Sequence, residues 1–264
     1  MPLLPGPAGR GVIALVGAGG KTSALFGLGE ELALGGRGAA VLLTTTTHIY
    51  DPRLESGRSF DRLAFVPAME TPAEGGAGPR PLRPGGPERL VLAAREEPGT
   101  GKLVGIHPAR VAGLARAWDW VVVEADGAKR LPVKAPAGHE PALPPGAGLV
   151  LGFIGLGCLG RPMDAAAVHR PERFGPVAGC APGEPIGLGH LAALAASPQG
   201  LFKYAPSGAR RVLAFNQADL CSLAPDALLE SFRALAGPGA DLILVCSLQD
   251  PRPEARVLAR WPAQ

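Results

Sequence analysis

Near the amino end, Gly17-Ala18-Gly19-Gly20-Lys21-Thr22-Ser23 joins an apolar run, Val12 to Val16, to a stretch with helical spacing that opens at Lys21. A strand, a glycine turn and a helix in that order make a phosphate cradle. Glycines let backbone amides turn toward an anion, and the helix N-terminus behind them adds partial positive charge. Lysine supplies a full charge, and a threonine hydroxyl can reach magnesium. The spacing predicts that Gly17, Ala18, Gly19, Gly20, Lys21, Thr22 and Ser23 contact a nucleotide, with Lys21 also catalytic and Thr22 also a magnesium ligand.

The loop is short. Its outer glycines, Gly17 and Gly20, are separated by two residues rather than the usual four, which resembles the G-x-x-G-K-T-[ST] loop of Mur-type ligases. A glycine-rich chain could produce such a string by accident, so the odds matter. With 38 glycines but only five lysines, seven threonines and eight serines, the expected chance count is on the order of 10^-4 for a motif of this kind.

Composition narrows the class. The chain of 264 residues is long enough for a substantial core. Its net charge of +3 comes from scattered arginines without interleaved aromatic residues, which argues against nucleic acid as a partner. No apolar run approaches the ~18 residues of a membrane span, and the first ten residues lack the pattern of a secretory signal. Cys158, Cys180, Cys221 and Cys246 show no C-x-x-C spacing, so neither a disulfide framework nor a zinc knuckle is expected. These features predict a cytoplasmic protein with no membrane partner.

Short apolar runs alternate with helical stretches, the pattern of parallel strands with crossover helices. Strands are expected at Val12 to Val16, Ala40 to Thr44, Leu63 to Val66, Trp120 to Glu124, Leu149 to Ile154, Val212 to Phe215 and Leu242 to Cys246. Helices are expected from Lys21 to Leu34, ended by Gly35 and Gly36, from Pro108 to Ala117, and at about 186–196 and 225–235. Leu90 to Ala94 and Lys102 to Ile106 flank Pro98-Gly99-Thr100-Gly101 and read as a hairpin added to the sheet edge. The expected fold is a three-layer α/β, P-loop NTPase-like fold with a mostly parallel sheet. It forms one domain over 10–264, with a Pro/Gly-rich insertion at about 67–88.

The run Trp120-Val121-Val122-Val123-Glu124-Ala125-Asp126-Gly127 ends an apolar strand in two carboxylates. Magnesium takes hard oxygen ligands, and side chains two apart in extended chain share a face. Glu124 is therefore expected to hold the metal and Asp126 to orient an attacking water or hydroxyl, both counted as catalytic. An acidic turn explains Asp126 equally well, but not Glu124. Lysine is scarce, five against 21 arginines, yet Lys129 and Lys134 closely follow these carboxylates. A compact ammonium suits phosphate, so Lys129 is a further catalytic candidate and Lys134 a substrate contact; solvated loop lysines are the alternative.

Phe215-Asn216-Gln217-Ala218-Asp219 is close to the Asn-Lys-x-Asp with which GTPases recognise guanine, with Gln217 in place of lysine. Asn216 and Asp219, with Ser247 after the next strand, are candidate base contacts, which favours GTP over ATP. Plain loop residues are the competing reading. Thr46, Thr47 and His48 follow a parallel strand on the side where ligands bind, and are candidate substrate contacts with His139 and His169. The spacing of these histidines is not a ligand signature.

The segments VGAGGKTS, TTTTHI, VVVEADGAKRLPVKAP with HEP, HRPERF and FNQAD together resemble the YqeC family, over nearly the whole chain. That resemblance implies nucleotide binding and a role in selenium cofactor biosynthesis or insertion, as an accessory protein of selenium-dependent molybdenum hydroxylases. The expected function is a Mg2+-dependent nucleoside triphosphatase acting in that maturation, with GTP or ATP bound and a hydroxylase or its cofactor as partner. One alternative is an ATP-dependent small-molecule kinase or ligase. Another is a nucleotide-gated cofactor carrier with little turnover.

Overall fold

The structure, a computed structural model, describes residues 10–35, 38–66, 86–235 and 239–250, with the backbone of 257–261. It begins with β1 (Gly11–Gly17), α1 (Lys21–Leu34), β2 (Val41–Thr45), β3 (His48–Tyr50) and β4 (Arg62–Phe65). Next come β5 (Arg89–Ala93), β6 (Arg95–Glu97), β7 (Lys102–Val104), α2 (Pro108–Leu114), β8 (Trp120–Glu124), β9 (Val133–Lys134) and β10 (Leu149–Gly155). The last part contains β11 (Val168–His169), α3 (Pro171–Ala178), α4 (Leu188–Ala196), β12 (Arg210–Asn216), α5 (Pro225–Leu235), β13 (Leu242–Cys246) and β14 (Val257–Trp261). No helix among the described residues is long and apolar enough to cross a membrane.

Nine strands form one sheet in the order β14-β13-β12-β10-β1-β8-β2-β5-β4. Eight are mutually parallel, and β14 pairs antiparallel to β13. The parallel arrangement follows from apolar runs that bury both faces. In β1, Ile13 and Leu15 point to one side, where Leu25 and Phe26 of α1 cover them. Val12, Ala14 and Val16 point to the other, into a cluster with Phe174 of α3, Leu191 of α4 and Phe232 of α5. The result is a three-layer α/β fold of the P-loop NTPase-like kind. Because the strands run the same way, Gly17, Glu124, Gly155 and Asn216 come out along one edge, where ligands of open α/β sheets bind.

Most expected elements lie where the pattern puts them: α1, β8, α5 and β13 have the expected ends. Gly35 ends α1 as expected, its N–H donating to Glu31 O; Gly36 lies outside the described residues, as does the expected insertion apart from positions 86–88. The hairpin differs. Leu90 to Ala93 is not its first arm but an interior strand, β5, between β2 and β4, with Leu90 and Leu92 in one core cluster and Val91 and Ala93 in the other. The true hairpin is β6 with β7, and it joins β3 in a separate three-stranded antiparallel sheet rather than the main sheet's edge. Two-sided burial explains the unbroken apolar run of β5, and the charged Arg95-Glu96-Glu97 marks where the chain leaves the core.

The small sheet is fastened to the main one at Gly105, whose N–H donates to Thr47 O while Ile106 N–H donates to Thr45 O. A Cβ at position 105 would lie 2.4 Å from Thr45 O and 2.6 Å from Thr47 O, both fixed backbone atoms. Gly105→Ala should therefore cost about 1–3 kcal/mol, read as a lower urea midpoint by circular dichroism. Gly113→Ala, where a Cβ meets nothing within 4 Å, should leave the midpoint unchanged or raise it.

Candidate functional site

The turn after β1 is held by positive φ at Gly17 (87°) and Gly19 (79°), values that glycine adopts without steric cost. A Cβ on Gly17 would meet Phe153 O at 2.3 Å. The Gly17 N–H donates to Asp126 Oδ2 and the Ala18 N–H to Phe153 O, so both amides are already engaged, the second by β10. From Gly19 to Ser23 the backbone amides make no hydrogen bond to the described residues, and α1 opens without a side-chain cap. Five donors at a helix N-terminus are thus free. The Asn216 side chain donates to Gly19 O at 2.7 Å and accepts from Leu248 N–H at 2.9 Å, tying this turn to the loop after β13.

Opposite the turn stand the two carboxylates of the β8 end. Glu124 is buried and accepts the Thr22 hydroxyl at 2.9 Å; burial pushes its carboxyl above the usual range, with Lys21 3.9 Å away opposing the shift. Asp126 lies 3.2 Å from Lys21 through Oδ1 and 3.2 Å from Lys134 through Oδ2. Lys134 also reaches Glu140 at 2.7 Å and Gly127 O at 2.7 Å, and Arg170 grips Glu140 with both terminal nitrogens. Five charges of alternating sign, Lys21, Asp126, Lys134, Glu140 and Arg170, therefore run from the glycine turn to the start of α3. Asp126 Oδ1 makes no hydrogen bond to the described residues and is enclosed by them, as Lys21 donates instead to Gly17 O.

The other expected residues divide. Asp219 is exposed and accepts the Ser247 hydroxyl, while its own N–H donates to Ser247 Oγ at 3.1 Å, so these two stand together at the sheet edge. Thr46 bonds Ala142 O, and the Thr47 hydroxyl lies near Gly127. Lys129 is exposed beside the carboxylate loop with left-handed backbone (φ 49°), and His139 is exposed. His169 is 8% exposed, and burial, aided by Arg170 and Lys134, lowers its pKa to about 4. Two expected substrate contacts are engaged elsewhere. Lys134 is 1% exposed and bonded to two carboxylates and a carbonyl, so it braces the site from within. His48 lies in β3, 3.4 Å from Glu97 of the hairpin, because the chain has left the main sheet by Thr46.

A sequence model of the YqeC protein family matches residues 13–172. The chain is also 36% identical over 212 residues to a protein of Escherichia coli (strain K12) named "Uncharacterized protein YqeC", covering 80% of this chain and 77% of the relative. The chain belongs to the YqeC family. No solved structure matches it. The stretch matched to YqeC contains all five charges of the alternating chain, whereas Asn216, Asp219 and Ser247 lie beyond it.

In this YqeC protein the pairs His139-Glu140 and His169-Arg170 stood out in sequence for their histidines, but Glu140 and Arg170 carry the ion pairs. Lys203 was also missed: it is 7% exposed and donates to Ala137 O and Gly138 O, pinning the loop that presents Glu140. Its scarcity as a residue type was the available signal. Elsewhere, Cys180, Glu184 and His190 bring potential metal-ligand atoms within 4.8 Å of one another. The cluster is already satisfied, however. The Gly187 N–H donates to His190 Nδ1, which places the ring proton on Nε2 toward Glu184, and Glu184 also accepts the Ala181 N–H. That tautomer turns a proton, not a lone pair, toward the cluster.

Acid should weaken the fold in two steps. His169 titrates near 4 in the folded chain against an ordinary 6.5, so between these values the unfolded state binds the extra proton and stability falls with pH. Burial raises the Glu140 carboxyl, but Arg170 and Lys134 outweigh it and hold the pKa down to about 2 against 4.5, so a second loss follows below about 4.5. Urea unfolding from about pH 7 to about pH 2 should show both segments. His169→Gln should flatten only the upper one; a variant that keeps the full upper slope would show that the ring is charged in the folded state.

Proposed function

We propose that this YqeC protein is a magnesium-dependent nucleoside-triphosphate-binding protein with triphosphatase activity, acting as an accessory factor in the maturation of selenium-dependent molybdenum hydroxylases. The observation that carries the proposal is the row of five unbonded amides from Gly19 to Ser23, with Lys21 and the Thr22 hydroxyl turned toward Glu124 and Asp126. Free amides at a helix start suit an anion, and the sealed, unbonded Asp126 Oδ1 fits a site that rearranges when a ligand enters.

In this reading Gly17, Gly19, Gly20, Lys21, Thr22 and Ser23 form the phosphate cradle, with the Gly17 amide holding Asp126 in place. Thr22 and Glu124 would hold Mg2+, a role that favours ionised Glu124 and offsets its burial. Bound magnesium would supply charge neutralisation on the phosphates. Lys21 exchanges its carboxylate partners for phosphate oxygens, and Asp126, still braced by Lys134, orients the attacking water or hydroxyl. Asn216 holds Gly19 against the loop after β13. Asp219, fixed through Ser247, accepts from the N–H groups of guanine, which makes GTP the favoured nucleotide over ATP.

Calorimetric titration tests this directly. The wild type should bind GTP with magnesium, and Lys21→Ala should weaken binding by roughly 30-fold or more, the effect of losing a buried charge-assisted contact, while circular dichroism stays native. Undiminished affinity would remove the cradle from consideration. Asp219→Ala should reduce affinity for GTP but not for ATP; equal losses for both nucleotides would refute the guanine contact.

A further inference from the structure

Beside the cradle lies a group of residues to which the reading above gives no role. Lys134 and His169 are directly paired across the parallel strands β9 and β11, and Arg170 follows at once with left-handed backbone (φ 64°). The His169 side chain is more than nine-tenths buried, yet its ring makes no hydrogen bond to the described residues. Its nitrogens are not sealed either, because Asp126 Oδ1 is the one fully enclosed side-chain atom without a partner among the described residues. The ring therefore sits in a wall with polar atoms turned outward. A buried polar side chain normally finds a partner.

More cations than carboxylates act on that ring. Arg170, Lys134 and Lys129 all act on His169 as positive neighbours, with Glu140 the opposing carboxylate. Glu140 is consumed by Lys134 and Arg170, and Lys129 has no partner among the described residues. A neutral imidazole held among cations is a hydrogen-bond donor in a positive field, which suits an oxygen anion and repels a metal cation. Two of the cationic residues, Lys129 and Arg170, hold left-handed backbone, a cost that persists where the surroundings enforce it.

We propose that His169, Lys129 and Arg170 form a second binding site for a small oxyanion, a carboxylate or phosphate group, separate from the nucleotide cradle. The anion sits against the outward imidazole, which donates an N–H, with Lys129 closing over it from the loop after β8. Lys134 and Glu140 fix the floor and hold Arg170 in place. If the nucleotide reading holds, this is where the anionic co-substrate or cargo of the triphosphatase binds; the anion site itself stands without that reading.

The test uses the full chain with ring-labelled histidine and inorganic phosphate as the probe, followed by NMR. One imidazole signal, identified as His169 by its loss in His169→Gln, should shift saturably with phosphate. It should shift equally in Lys21→Ala, which disables the cradle. In Lys129→Met, which alters an exposed residue and leaves the fold intact, the phosphate affinity read from that signal should fall about fivefold, the effect of one exposed cation. If the shift disappears in Lys21→Ala, phosphate occupies the cradle alone; the second site is then refuted while nucleotide binding stands. A signal that never saturates, or that titrates identically in Lys129→Met, also overturns the proposal.

Discussion

Asp126 holds the site together because two lysines claim it from opposite sides. Neither Lys21 nor Lys134 is more than 4% exposed, and each ammonium lies 3.2 Å from an Asp126 oxygen. A buried charge is costly unless it is paired and hydrogen-bonded. Here each cation offsets the burial of the carboxylate and the carboxylate offsets theirs; withdrawing Lys21 lowers stability, but Lys134 still pairs Asp126 and the fold is kept. Removing one partner of such a buried pair typically costs about 3–5 kcal/mol. The glycine turn, the β8 loop and the β9 strand are thereby coupled, and Glu140 passes the coupling on to Arg170 at the start of α3.

This arrangement balances charge within the site. Lys21 folds back to the Gly17 carbonyl and the two carboxylates, which leaves the amides of Gly19 to Ser23 without a counter-charge. Under the proposed function, a polyphosphate would compete for Lys21, and Thr22 with Glu124 would hold the divalent cation that accompanies it. A divalent charge beside Glu124 would keep the carboxylates ionised when lysine leaves. Lys134 pairs the other oxygen of Asp126 and would stay there during that exchange.

Much of the fold was legible because periodicity reports burial. A run apolar on both faces, such as Val121-Val122-Val123, can only be an interior strand or a buried helix, and its length and β-branching decide for the strand. The same rule applied to Leu90 to Ala93 would have placed it inside the sheet; the turn residues Pro98 to Gly101 drew it into a hairpin that starts five residues later. The carboxylates and the glycine turn were legible as well, since each lies next to a strand end. Glu140 and Arg170 were not. They lie 30 residues apart in irregular segments, where no period carries information, and their pairing depends on β9 and β11, strands of two residues each.

The choice of cation follows the same physics and explains why scarce lysine was a usable signal. Of five lysines, Lys21, Lys134 and Lys203 are each less than one-tenth exposed around the site, and Lys129 stands on its rim. Asp126 is approached from two directions and also accepts the Gly17 N–H, so little room remains for a planar fork. A point charge on a flexible stem can share such a carboxylate, whereas guanidinium seeks both oxygens of one partner in its own plane. Arginine enters only at the outer end of the chain, where Arg170 meets both oxygens of Glu140 near solvent. Lysine occupies the crowded interior and arginine the open end.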